Sequence, residues 1–194
     1  MATTSGILAI DIGGTKLAAA VVTAQGDIIR RDRVATPARA PWTTLSTLIK
    51  RIQAAASDIE LVACGVACGG PMKNGGTEVS PLHIPTWVDF PLLSSISELT
   101  GLKTYIDNDA KALALAEGWM GAARGYAHFM AVVIGTGVGG GLVVNHRLAV
   151  GRSGNAAHFG HIVVGGDIVG HDDRQGVAKF DPVLEALICR IPIG

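Results

Sequence analysis

Near its N-terminus the chain runs from the strand-like Leu8-Ala9-Ile10-Asp11 through Gly13-Gly14 and directly into a second apolar run, Leu17 to Val22. That return is a β-hairpin, with no helix after the glycines. It excludes a dinucleotide-binding turn, which opens a helix and carries G-x-G-x-x-G. Turn residues Gln25-Gly26-Asp27 lead into Ile28 to Val34, which completes a three-strand meander. From Thr43 to Ala56, Leu45, Leu48, Ile49, Ile52 and Ala55 recur at helical spacing behind Pro41, and Leu61 to Val66 reads as a buried strand. A meander followed by helix and strand predicts an α/β fold, a mixed sheet covered by helices.

Gly69-Gly70-Pro71 ends that strand, and Met72 to Phe90 reads as a long loop rich in Gly, Pro, Thr and Ser. Loops of this length commonly carry function. Leu92 to Leu99 predicts a short helix, Thr104-Tyr105-Ile106 a strand, and Asp109 to Trp119 a helix that opens a second domain, dividing the chain into 1–108 and 109–194. Phe129 to Ile134 and Gly139 to Val144 read as strands, and Asn145-His146-Arg147 turns into Leu148-Ala149-Val150. Val183 to Ile191 is the last amphipathic stretch.

With 48% hydrophobic and 16% charged residues, 194 residues are enough for a sizeable core, which excludes a disordered chain. Sixteen basic residues balance sixteen acidic ones, so no general attraction to nucleic acid or an anionic membrane is expected, and any phosphate must be held locally. Three cysteines at irregular spacing and an N-terminus without a signal-peptide pattern point to a reducing cytoplasm. No apolar run reaches the length of a membrane span.

Two Gly/Thr-rich segments look built for phosphate. In Asp11-Ile12-Gly13-Gly14-Thr15-Lys16, the glycines can take positive φ and bring N–H groups to an anion, Thr15 adds a hydroxyl and Lys16 a cation. Asp11 could hold Mg²⁺ through water, since Mg²⁺ beside a nucleotide keeps much of its hydration. The plainer alternative is a β-turn with a capping Asp. Gly135-Thr136-Gly137-Val138-Gly139-Gly140-Gly141 sits between strands, where so much glycine weakens a sheet unless a ligand or another backbone comes close; its plainer alternative is a glycine-lined bend.

Between them lies Asn108-Asp109, at a strand end that becomes a helix start. Phosphoryl transfer needs an oriented hydroxyl, an in-line phosphate and a late proton acceptor, a role open to Asp109. Asn108 offers a donor and an acceptor to sugar hydroxyls, and either residue could instead be a helix N-cap. An acid between two phosphate-holding loops is what phosphate transfer from ATP to a sugar hydroxyl requires. His158 and His161 could hydrogen-bond sugar hydroxyls, or one could ligate a metal, or both could be buried and satisfied. Cys64 and Cys68 read as core thiols, and His83, His128 and His146 carry no signal.

In this order, Ala9 to Lys16, Gly69-Gly70-Pro71, Asn108-Asp109-Ala110, Gly135 to Gly141 and Gly160-His161 resemble the ROK family (repressors, open reading frames and sugar kinases), a branch of the actin-like ATPase superfamily. The resemblance covers about Ile7 to Val164 and implies a ribonuclease H-like N-terminal domain followed by part of a second actin-like one. It implies an ATP- and Mg²⁺-dependent sugar kinase, with Asp109 as catalytic base and Gly70, Asn108, Asp109, His158 and His161 at the sugar. Asp11, Gly13, Gly14, Thr15, Lys16, Gly135, Thr136 and Gly137 would then face ATP and its metal. Val79 to Pro85 looks like the segment bordering the sugar site.

The chain departs from the family in several places. His158 stands where most family kinases have Glu, as in N-acylmannosamine kinases and some glucokinase-like members, and Lys179 stands where a sugar-binding Glu is expected. The family's C-x-C-G-x-x-G-C zinc motif is missing. His161 holds the zinc histidine's place, so a substitute set with His171, Asp172 and Asp173 is imaginable and a zinc-free loop is expected. Family members continue further, so the resemblance implies a truncated or frame-disrupted product or a fragment, and the alternative to a kinase is an inactive sugar- or nucleotide-binding remnant. The repressor branch carries a DNA-binding domain ahead of the first loop, so no nucleic-acid partner is expected; a homodimer is open.

Overall fold

The computed structural model describes residues 5–134, 138–152, 154 and 156. The meander forms as read: β1 (Ser5–Ile12), β2 (Lys16–Val22) and β3 (Ile28–Ala35) pair antiparallel in sequence order. Helix α1 (Pro41–Ala55), with proline in its first turn where no N–H is needed, carries the chain to β4 (Glu60–Cys68), which pairs parallel to β1. The long loop that follows holds a small hairpin, β5 (Met72–Lys73) and β6 (Glu78–Val79). Helix α2 (Leu92–Thr100) stops at Gly101, whose φ of 70° suits glycine and whose N–H closes on the Ser97 carbonyl. β7 (Thr104–Asn108) then pairs parallel to β4, giving a mixed five-stranded sheet in the order β3-β2-β1-β4-β7.

Side chains alternate across a strand, and here the alternation sorts large from small. Leu8, Ile10 and Ile12 face Leu45, Leu48, Ile49 and Ile52 of α1 and Leu92 and Ile96 of α2, forming the main core. The opposite face carries Ala9, Ala18, Ala20, Ala63 and Ala67. Small residues let a helix approach closely, and α3 (Asp109–Trp119) seats Ala112 and Ala116 on Ala67.

The other side of α3 meets a second antiparallel sheet, ordered β10-β9-β8, of β8 (Phe129–Ile134), β9 (Val138–Val144) and β10 (Arg147–Leu148). The fit is tight: a Cβ on Gly141 would stand 2.5 Å from the Ala114 Cβ, and one on Gly139 2.8 Å from the Ala110 Cβ. Glycines 139 and 141 therefore serve helix packing. The segment after the Asn145-His146 turn pairs only briefly, as β10 over Arg147–Leu148. Asn145 and His146, with φ of 52° and 59°, make the two-residue turn a right-twisted hairpin favours. Beyond the strand the Val150 carbonyl accepts from the Ala156 N–H and the chain turns at Gly151, φ 69°. Val183 to Ile191 lies outside the described residues. No helix among the described residues is long and apolar enough to cross a membrane.

Candidate active site

The three parallel strands end together. Asp11, Ala67 and Asp107 stand level across β1, β4 and β7, and Ile12, Cys68 and Asn108 form the next row. The carboxyl ends of parallel strands are where open α/β sheets bind ligands. Asp11 and Asp107, each 6% exposed, share the α3 face on either side of Ala67.

The first glycine loop is a closed hairpin tip. The Gly13 N–H donates to the Lys16 carbonyl at 3.0 Å, the Thr36 hydroxyl to the Gly13 carbonyl at 2.6 Å and the Thr36 N–H to the Thr15 carbonyl at 3.1 Å. Gly14 and Thr15 are left exposed at the tip, with Asp11 at its base and Lys16 half-buried at the start of β2. The expectation of positive φ is corrected, because neither Gly13 nor Gly14 lies in the left-handed region. Glycine is needed at 14 for space instead: a Cβ there would stand 2.5 Å from the Cβ and 2.9 Å from the Cγ of His83.

At the end of β7, Asn108 is the N-cap of α3, its side-chain oxygen accepting from the Ala110 N–H at 3.1 Å. Asp109 Oδ1 accepts from the same N–H at 2.8 Å. The capping alternative is therefore realised at Asn108, and Asp109 occupies the first turn, where the positive end of the helix favours an acid. The other oxygen, Oδ2, looks toward Gly69. A Cβ on Gly69 would stand 3.9 Å from Asp109 Oδ2, 3.9 Å from His83 Cδ2 and 4.0 Å from Pro81 Cβ, so Gly69 keeps open the space that these groups surround.

Beneath this floor Cys68 is fully buried. Burial pushes its thiol pKa well above the usual range, and the nearby Asp109 and Asp11 carboxylates push it further. Among the described residues no group of three or more His, Cys, Asp or Glu could hold a metal ion. One carboxylate, Asp11, stands at the base of the first glycine hairpin, and a single carboxylate is enough for a Mg²⁺ that keeps most of its waters.

Sequence reasoning gave no role to Lys111 or Asp107, and reached His83 only within Val79 to Pro85, the segment that by resemblance borders the sugar site. His83 is brought to the hairpin because the Leu82 N–H donates to the Gly70 carbonyl at 3.3 Å and the Ser80 N–H to the Pro71 carbonyl at 2.9 Å, folding the loop back over the end of β4. Lys111 is 1% exposed and donates to the Gly154 carbonyl, tying the segment after β10 to the start of α3. A lysine inside the alanine run from 110 to 116 was the available signal. Asp107 lines a cavity of about 290 Å³ with Met72, Asn74, Gly75, Arg152 and Gly154. Gly135, Thr136 and Gly137, His158 and His161, and the alternative ligands His171, Asp172 and Asp173 all lie outside the described residues, as does Lys179.

Known proteins share this fold. The ROK family pattern matches residues 7–184. A glucokinase of Thermotoga maritima is 32% identical over 161 residues, 81% of this chain and 50% of the relative. An N-acetylmannosamine kinase of Yersinia pseudotuberculosis is 38% identical over 157 residues, 79% of this chain and 52% of the relative. The crystal structure of a ROK family glucokinase from Streptomyces griseus in complex with glucose and AMPPNP superposes with a TM-score of 0.72 at 35% identity, over 82% of this chain and 51% of that one. The chain spans about half the length of the curated relatives it matches.

Proposed function

The chain belongs to the ROK family, whose sugar kinases have the actin-like ATPase fold, and from that premise we propose that it works as a sugar kinase, transferring the ATP γ-phosphate to a hydroxyl of a hexose or N-acylhexosamine. The observation that carries this reading is the convergence on Gly69: a Cβ there would stand 3.9 Å from the Asp109 carboxylate and 3.9 Å from the ring of His83, which also packs on the first glycine hairpin at Gly14. A sugar hydroxyl placed above Gly69 lies within reach of the acid and faces the hairpin.

In this reading Asp109 takes the hydroxyl proton late in the transfer, when the sugar oxygen has begun to bond phosphorus. The Asn108 oxygen is held by the helix, so its amide nitrogen is the atom left to donate to a sugar hydroxyl. The Gly14 and Thr15 N–H groups and the Thr15 hydroxyl would face the phosphates, and Asp11 would hold the nucleotide's Mg²⁺. The metal supplies charge neutralisation on the phosphate oxygens. Gly70, His158 and His161 toward the sugar, Lys16, Gly135, Thr136 and Gly137 toward the nucleotide, a zinc-free 170–177 segment, a cytoplasmic location and domains of 1–108 and 109–194 belong to the same proposal.

The test is coupled ADP release from the purified chain with Mg-ATP and a panel of glucose, N-acetylglucosamine, N-acetylmannosamine and mannose. Turnover on one sugar, lost in Asp109→Asn, is expected. A folded sample silent on every sugar would contradict the reading and point to a protein that binds without turning over.

A further inference from the structure

Resting on the kinase reading, we propose that His83 is a catalytic residue that donates a hydrogen bond to the phosphoryl group in flight, and is not a sugar ligand. The phosphoryl group must travel from the hairpin that holds the nucleotide to the oxygen whose proton Asp109 takes. His83 occupies that interval. The position a Cβ would take on Gly14 lies 2.9 Å from its Cγ and 3.5 Å from its Nδ1, while the position a Cβ would take on Gly69 lies 3.9 Å from its Cδ2 and equally far from Asp109 Oδ2. His83 therefore packs by its Cβ, 2.5 Å from the same position on Gly14, and the Nδ1 side of its ring on the hairpin tip, with Cδ2 beside Gly69, the glycine that Asp109 Oδ2 also approaches.

The ring is presented from a rigid mount. His83 lies inside the turn closed by the Ile84 N–H on the Pro81 carbonyl at 2.9 Å. Pro81 and Ile84 are buried on either side, and Trp87, 4% exposed and stacked on Phe90 at 4.3 Å, anchors the next turn. His83 itself is exposed. An exposed imidazole between two buried anchors contributes little to the core, and a backbone held on both sides is what a preorganised donor requires.

The step balances as follows. The bond from the γ-phosphorus to the β–γ bridging oxygen breaks and its electron pair leaves on ADP, the sugar oxygen bonds the phosphorus, and the hydroxyl proton passes to Asp109. The ring N–H of His83 stays on the ring and stabilises charge on a non-bridging oxygen of the moving group.

The experiment compares wild type, His83→Ala and His83→Gln for sugar kinetics by coupled ADP release and for Mg-ATP and Mg-ADP binding by calorimetry. His83→Ala is expected to lose about 100-fold in kcat with sugar KM unchanged, the effect of deleting one oriented donor. ATP binding should weaken about fivefold while ADP binding holds, because only ATP carries the phosphate that the ring meets. His83→Gln, which keeps an N–H, should recover part of both. A raised sugar KM at unchanged kcat would place the ring on the sugar and overturn the proposal, as would equal loss of ATP and ADP affinity or no change at all. If wild type turns over no sugar, the kinase reading fails, and the ATP-against-ADP comparison still decides whether His83 meets the terminal phosphate.

Discussion

At Asn108 the side-chain oxygen caps a helix and the proposed function gives the amide nitrogen a separate duty at the sugar, so substitution can pull the two apart. The oxygen caps α3, so Asn108→Ala should cost about 1 kcal/mol in urea denaturation. Asn108→Asp keeps the capping oxygen and should leave stability nearly unchanged, but it removes the amide donor and should raise the sugar KM. Equal stability of all three proteins would remove the capping account. Cys64 and Cys68 offer a pH test. Burial raises both thiols far above their ordinary range, offset in Cys64 by a hydrogen bond with Thr104 and reinforced in Cys68 by Asp109 and Asp11. The unfolded chain therefore releases protons that the folded chain keeps, so their stabilising contribution is complete below the ordinary thiol range and falls as pH rises through and beyond it. Peptide-level labelling should find both thiols unreactive at neutral pH until urea unfolds the protein; native labelling of either would contradict their burial.

The elements show what a sequence reveals of a fold and what it withholds. The meander, the α1 stripe of Leu45, Leu48, Ile49 and Ile52, and the span of α3 follow from periodicity and turn residues, which act locally. His83 gave no signal of its own because its place beside Gly14 comes from backbone bonds that fold a loop onto Gly70 and Pro71, a contact no local pattern encodes. Gly14 was read as a residue chosen for its φ, yet what it supplies is room for that histidine. Asn108 and Asp109 were legible as a pair, but only the helix geometry separates the cap from the acid. The glycines of β9 carry a prediction at this scale. Gly141→Ala sets a methyl 2.5 Å from Ala114 and should destabilise by about 1 to 3 kcal/mol by pushing β9 from α3, and Ala114→Gly in the same chain should recover part of the loss at the cost of helix propensity. Independent, additive losses would show that α3 and β9 do not pack this closely.

Across the whole molecule, α3 is the element that both sheets share. Its small side chains meet Ala67 of the first sheet and the glycines of the second, while its first turn carries Asp109 and its buried Lys111 holds the segment after β10. The proposed base is thus fixed by the same helix that joins the two layers, and the first glycine hairpin lies on the far side of β4 from it. The most direct test of this account follows the phosphorus itself: incubate the chain with Mg-ATP labelled at the γ-phosphate and each sugar of the panel, and determine where the label goes, for wild type and Asp109→Asn. The account predicts label on one sugar with wild type and none with the variant, although the variant still binds sugar and nucleotide. Equal labelling by Asp109→Asn, or label released only to water, would contradict it.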